Sequence, residues 1–217
     1  MATQVRARSG DRRLQIMEAA RRLFARRGFE GTTTRRIAER ARVNEAIIFR
    51  HFSSKEELYR AIIDHQCEVR GGLQALQARL RSGEGDRAIF TGLARDILLR
   101  RAQDDTLSRL VLFSALESRQ RSQRIFRSHV AEYYEMLAEY IRGRIAQGAF
   151  RPVNPMLAAR GFLGMVVYHS LIQDLFGAKR HQDFDVEEVS ETLADIWLGG
   201  MAGRNRRTSR ATSGIQR

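Results

Sequence analysis

The sequence predicts an all-α protein: a small three-helix head at the N-terminus on a larger helical body, about nine helices in all. Only two prolines interrupt 217 residues, and strong helix formers are abundant. Apolar residues recur every three or four positions, the period of a helix rather than of a strand. The charge is segregated. Residues 1–60 hold 15 Lys and Arg against 7 Asp and Glu, residues 61–200 hold 18 of each, and residues 201–217 hold 5 arginines and no acid. A neutral body behind a basic head suits a phosphate-binding front end and argues against a uniformly basic RNA-binding surface.

Residues 1–10 read as a flexible basic arm and residues 11–57 as the head. A first helix is expected from about Arg12 to Arg27, capped by Asp11, because Ile16, Ala19, Ala20, Leu23 and Phe24 form one apolar stripe. Gly28 stands where a helix stops in the left-handed conformation. Thr33 or Thr34 starts a second helix with Ile37, Ala38 and Ala41 inside. Arg42 and Val43 make a turn. Asn44 caps a third helix from Glu45 to about His51, whose Ile48 and Phe52 face the core. Ser54 and Glu57 read as a reciprocal capping box for a fourth helix. Two short helices across a tight turn form a helix-turn-helix, a DNA-binding unit.

The residues of this stretch, Gly28-Phe29, Thr32-Thr33, Ile37-Ala38, Val43, Phe49, Phe52, Ser54-Lys55-Glu56 and Leu58, resemble the DNA-binding domain of TetR-family transcriptional regulators. The likeness covers about residues 11–60. Thr33 and Thr34, at the positive end of the second helix, are expected at the DNA backbone. The resemblance implies a contact from Arg35 and a phosphate clamp from Lys55. His51 is a further phosphate donor. Asn44, Glu45, Ala46, Ile47, Phe49 and Arg50 complete the expected DNA-binding set, with Arg50 able to reach a guanine edge or a phosphate. Two residues depart from the family pattern. Phe49 stands where Tyr is usual and lacks the phosphate-binding hydroxyl. Glu45 stands where Lys, or another polar or small residue, is common.

The body, residues 58–200, opens with a fourth helix carrying Leu58, Ile62, His65, Val69, Leu73, Leu76 and Leu80 inward, kinked or broken at Gly71-Gly72. Helices are then expected over about 86–101, 105–118 and 122–147, the last with Phe126 inward and ended by Gly148. Asn154-Pro155 starts an eighth helix to about Phe176, apolar on most sides. A ninth begins at Asp185 and ends near Leu198. TetR-like proteins dimerise through their last two long helices, and the resemblance makes Phe162, Met165, Tyr168, Ile172, Leu193 and Trp197 candidate interface residues. It also implies a ligand pocket among helices four to seven, with Cys67, Phe90, Leu110, Phe113, Tyr133, Met136 and Tyr140 as candidate lining. Residues 201–217 read as a disordered basic tail.

No catalytic constellation is legible. The five histidines are scattered, no nucleotide-binding loop is present, and the single Cys67 allows neither an intramolecular disulfide nor a thiolate metal cage. No metal or cofactor is expected, and the protein reads as a non-enzyme. With no apolar leader and no apolar run near the ~18 residues that span a membrane, a cytoplasmic location is expected. The expected function is sequence-specific binding of a double-stranded palindromic operator by a homodimeric repressor, released by a small apolar or amphipathic effector. The alternatives are a constitutive regulator or activator without a ligand, or a helical protein-interaction module.

Overall fold

The structure, a computed structural model, describes residues 2–203, with side chains from Asp11 onward. Its helices are α1 (Ala2–Arg27), α2 (Thr34–Ala41), α3 (Glu45–His51), α4 (Lys55–Arg70), α5 (Gly72–Leu80), α6 (Asp86–Gln103), α7 (Thr106–Glu117), α8 (Arg119–Ile125), α9 (Ala131–Ala146), α10 (Pro155–Ser170) and α11 (Val186–Met201). A π turn, Phe126–Val130, joins α8 to α9, and a second, Leu171–Leu175, extends α10. With α4–α5 and α8–α9 each taken as one interrupted helix, the nine expected helical bodies are present among the described residues. The break between α4 and α5 is the left-handed Gly71.

The chain folds as two compact units, Met1–Leu76 with Leu99–Glu132, and Gln77–Leu98 with Tyr133–Arg217. The first has a continuous core of Ile16, Ala20, Phe24, Ile37, Ala38, Ile48, Phe52, Leu58, Tyr59, Ile62 and Leu110. Three rings anchor it: Tyr59 meets Phe24 and Phe29 edge-on at 4.9 and 5.4 Å. The second unit is centred on Phe90, with Phe162 at 4.9 Å and Trp197 at 4.2 Å between ring centroids. The Trp197 indole N–H donates to the Ala158 carbonyl at 3.1 Å, which ties α11 to α10 and leaves the one polar atom of that ring paired.

Several expectations need correction. Helix α1 runs through the segment read as an arm, so Asp11 lies inside it and caps nothing. Val69 is 69% exposed and Phe126 41%, against the inward stripes on which they were placed: Val69 lies in the last turn of α4, and Phe126 opens the π turn that departs from the α period. Helix α11 continues to a buried Met201, and Ala202 bridges to Phe150, so the tail cannot begin at residue 201. The expected tail from 204 onward lies outside the described residues. Pro155–Leu175 is by length and composition long and apolar enough to cross a membrane, contrary to expectation, although core helices pass the same test.

Two left-handed residues stand on either side of α2. Gly28 has φ +72°, and a methyl group there would overlap the Glu117 carboxylate. Arg42 ends α2 with φ 53°, a conformation that costs a non-glycine residue about 1 kcal/mol. Substitution at the two sites should therefore act with opposite sign. In urea unfolding, Gly28→Ala should destabilise by about 2 kcal/mol or more, and Arg42→Gly should stabilise by up to about 1 kcal/mol.

Candidate nucleic-acid interface

The short α3 is held in place by its neighbours rather than by its own propensity. A helix of two turns is marginal alone. Here the Asn44 side chain accepts from the Ala46 amide at 3.0 Å, Ile48 is buried, and Val43 and Ile47 pack partly against the head core. What remains outward is Ala46, Phe49, which is 50% exposed, and Arg50. Helix α2 is capped by Thr33, whose hydroxyl accepts from the Arg36 amide at 3.3 Å. Arg35 is exposed and loosely paired with Glu39. Arg36, Arg40 and Arg42 are also exposed; no motif in the sequence singles them out as contacts.

Three expected details are placed differently. The Thr34 hydroxyl donates to the Glu45 carboxylate, so its proton is directed to α3 and not to a phosphate. Lys55 turns inward. Its ammonium donates to the Phe29 and Thr32 carbonyls, both at 3.0 Å, and lies 4.0 Å from the centre of the Phe29 ring. Glu57 reaches back one residue further than a capping box requires and accepts from the Ser53 amide at 2.6 Å and from the Ser53 hydroxyl at 2.5 Å. Those bonds hold the Glu57 carboxyl below its ordinary pKa. Ser54 caps α4 as expected, accepting from the Glu57 amide at 3.1 Å. His51 is half-buried beside Phe52.

The corner between α1 and α2 is tied to α7 and α8 by two residues that carry no signal in the sequence. The Glu117 carboxylate accepts from the Phe29 amide at 2.9 Å. The Arg121 guanidinium stacks 3.7 Å from the Phe29 ring centre and lies 3.4–3.5 Å from Glu30, Glu56 and Glu117. Beside it a cleft of about 320 Å³ is lined by Arg60, Asp64, Arg124 and His129 among others. His129 Nε2 and Asp64 Oδ1 are 2.8 Å apart across it.

The pocket candidates are divided between the two units. Cys67, Leu110 and Phe113 belong to the first. Leu110 is fully buried, and Cys67 packs on the core, where burial pushes its thiol pKa up. Phe90, Tyr133, Met136 and Tyr140 belong to the second. Tyr140 donates to Asp86 at 2.6 Å, and Arg144 holds the same carboxylate at 2.7 Å. Of the interface candidates, Phe162 and Trp197 are core residues of the chain itself and are not free for a partner. Tyr168 is 64% exposed, while Met165, Ile172 and Leu193 are half-buried. Two further apolar residues, Leu157 and Ile196, point outward and are not distinguished in the sequence from their buried neighbours; they are 64% and 61% exposed.

Comparison with known proteins adds identity to this geometry. The model for bacterial regulatory proteins of the TetR family matches residues 16–62, and that for the AefR-like transcriptional repressor C-terminal domain matches residues 93–199. The chain is 29% identical over 185 residues to the HTH-type transcriptional repressor AcnR of Corynebacterium glutamicum, covering 83% of this chain and 88% of that protein. It is 39% identical over 72 residues to the HTH-type transcriptional regulator YvkB of Bacillus subtilis, covering 33% of this chain but only 35% of that protein. The crystal structure of AibR in complex with isovaleryl coenzyme A and operator DNA shares the fold, with TM-score 0.68 at 24% identity over 85% of this chain and 97% of that one. The capped helix-turn-helix and the helical body behind it each match their own part of one family, and the chain belongs to the TetR family of bacterial regulatory proteins.

Proposed function

We propose that the chain is a homodimeric repressor that binds a palindromic operator and is released by a small effector carried in its helical body. The observation that carries the reading is the outward strip of α3, Ala46, Phe49 and Arg50, on a helix fixed by its cap and by Ile48. A rigid, short, exposed helix with an arginine among small and apolar side chains is suited to a major groove. The basic surface of α2 supplies backbone attraction. Thr33, Arg35, Asn44 and His51 remain its proposed neighbours on DNA, whereas Lys55 and Thr34 support the head from within. AcnR, a repressor by name, supports the direction of control. The cytoplasm, where operator DNA lies, is the proposed location.

Dimerisation rests on α10 and α11. Leu157, Met165, Tyr168 and Ile196 make an outward apolar face, and a groove of about 640 Å³ runs between Val153, Gly161, Met165, Ile196 and Met201. A face of that kind on a chain this size calls for a partner, and a second copy supplies the twofold symmetry that a palindrome requires. The effector is proposed to be apolar or amphipathic, with Cys67 and Phe113 of the first unit as the candidate contacts to vary. AibR, which is crystallised with isovaleryl coenzyme A, makes an acyl thioester a natural first probe. Such a ligand would act by preferring a head spacing that does not fit DNA.

The test is fluorescence anisotropy with DNA from upstream of the protein's own gene against random duplex. Salt-sensitive binding with preference for one palindrome is expected, and sequence-blind binding would overturn the reading. Arg50→Ala should weaken operator binding roughly 5- to 100-fold with an unchanged melting temperature. Leu157→Asp combined with Ile196→Asp should give monomers in sedimentation velocity and remove cooperative operator binding. Dimers that persist would place the interface elsewhere.

A further inference from the structure

The hydrogen bond between Thr34 and Glu45 joins the first residue of α2 to the first residue of α3. It places a carboxylate at the edge of an otherwise basic reading surface. Both residues are half-buried, and among the described residues Glu45 has no cationic partner, unlike Glu39 and Glu56, which face Arg35 and Arg121. A carboxylate carried into a groove walled by phosphates is repelled by them. It is tolerated only where a donor meets it.

The bases differ sharply in what they offer. In the major groove guanine shows two acceptors, thymine an acceptor and a methyl group, and adenine an acceptor beside its amine. Cytosine alone shows a donor without an acceptor next to it. We infer that Glu45 is a specificity-determining residue that accepts from the exocyclic amine of one cytosine per half-site, and that Thr34 is its positioning residue. This inference rests on the operator-binding reading and sharpens it to a base. Thr34 occupies one lone pair of the carboxylate and restricts its rotation, leaving the other oxygen to face the groove. The ordering cost of the long Glu side chain is thereby met before DNA arrives. Ala46, directly after it, is exposed and too short to obstruct the approach.

The experiment is selection from a randomised duplex pool with the full chain and three variants, each checked for fold by circular dichroism. The wild type should enrich a palindrome with one C·G pair per half-site preferred about 10-fold over the alternatives. Glu45→Ala should make that position alone degenerate while the rest of the motif survives. Glu45→Gln, which offers the amide that pairs with adenine, should move the preference there to A·T. Thr34→Val keeps the shape and removes the hydroxyl, and should blunt the cytosine preference without moving it. An identical motif from wild type and Glu45→Ala, or a wild-type motif with no cytosine affected by Glu45→Gln, overturns the assignment while leaving the regulator reading intact. A wild type that binds DNA but enriches no motif overturns both.

Discussion

One carboxylate holds the head in place. Glu117, at the end of α7, accepts the Phe29 amide at 2.9 Å, immediately after the left-handed Gly28. That amide lies in the turn beyond the end of α1 and takes its acceptor from α7. A hydrogen bond to a charged, mostly buried acceptor contributes roughly 1.5–3 kcal/mol. The Arg121 guanidinium covers the pair and lies flat on Phe29, which adds a cation–π contact of about 1 kcal/mol. Surface pairs such as Arg35–Glu39 contribute a few tenths at most. The corner between α1 and α2 is therefore set by α7 and α8, and α3 follows because it is short and leans on α2.

Helix α4 grips the same corner from the other side. Lys55 donates to the Phe29 and Thr32 carbonyls, and the Tyr59 ring packs on Phe24 and Phe29 while its hydroxyl donates to the Leu110 carbonyl at 2.6 Å. An inward Lys55 pairs the Thr32 carbonyl and adds a second donor to the Phe29 carbonyl, which also accepts from the Thr32 amide at 3.3 Å. Any movement of α4 relative to this corner must break these bonds together. Two discrete arrangements are then easier to populate than a continuum, which is the physical requirement of a switch.

The helices were legible because period and caps are local. Thr33, Asn44, Ser54, Asn154 and Asp185 cap helices where the sequence places them. The break at Gly71 was legible for the same reason. What escaped was the destination of polar side chains. Nothing near Lys55 in sequence says that it bonds residues more than twenty positions away, and nothing near Glu117 points to Phe29. The Thr34–Glu45 bond likewise spans a turn whose geometry is set by Arg42, a residue in a conformation that sequence assigns to glycine. The π turn at Phe126–Val130 shows the same limit, since one inserted residue in the ladder leaves no mark on composition.

The division between core and interface on α10 and α11 was illegible for a different reason: both are apolar at helical period. Phe162 and Trp197 close on Phe90, whereas Leu157, Tyr168 and Ile196 point away. Each of the outward three is about two-thirds exposed, so burial against a partner offers roughly 1–2 kcal/mol apiece. Six such side chains across a twofold pair give about 6–12 kcal/mol, the same order as the roughly 4–15 kcal/mol that association costs. Area alone therefore does not make the proposed dimer stable. For the proposed pairing, the small residues of α10 offer a further source of contact. A Cβ added at Gly161 or Gly164 would meet nothing within 4 Å, so a second backbone can come close there and gain dispersion contacts that larger side chains would forbid.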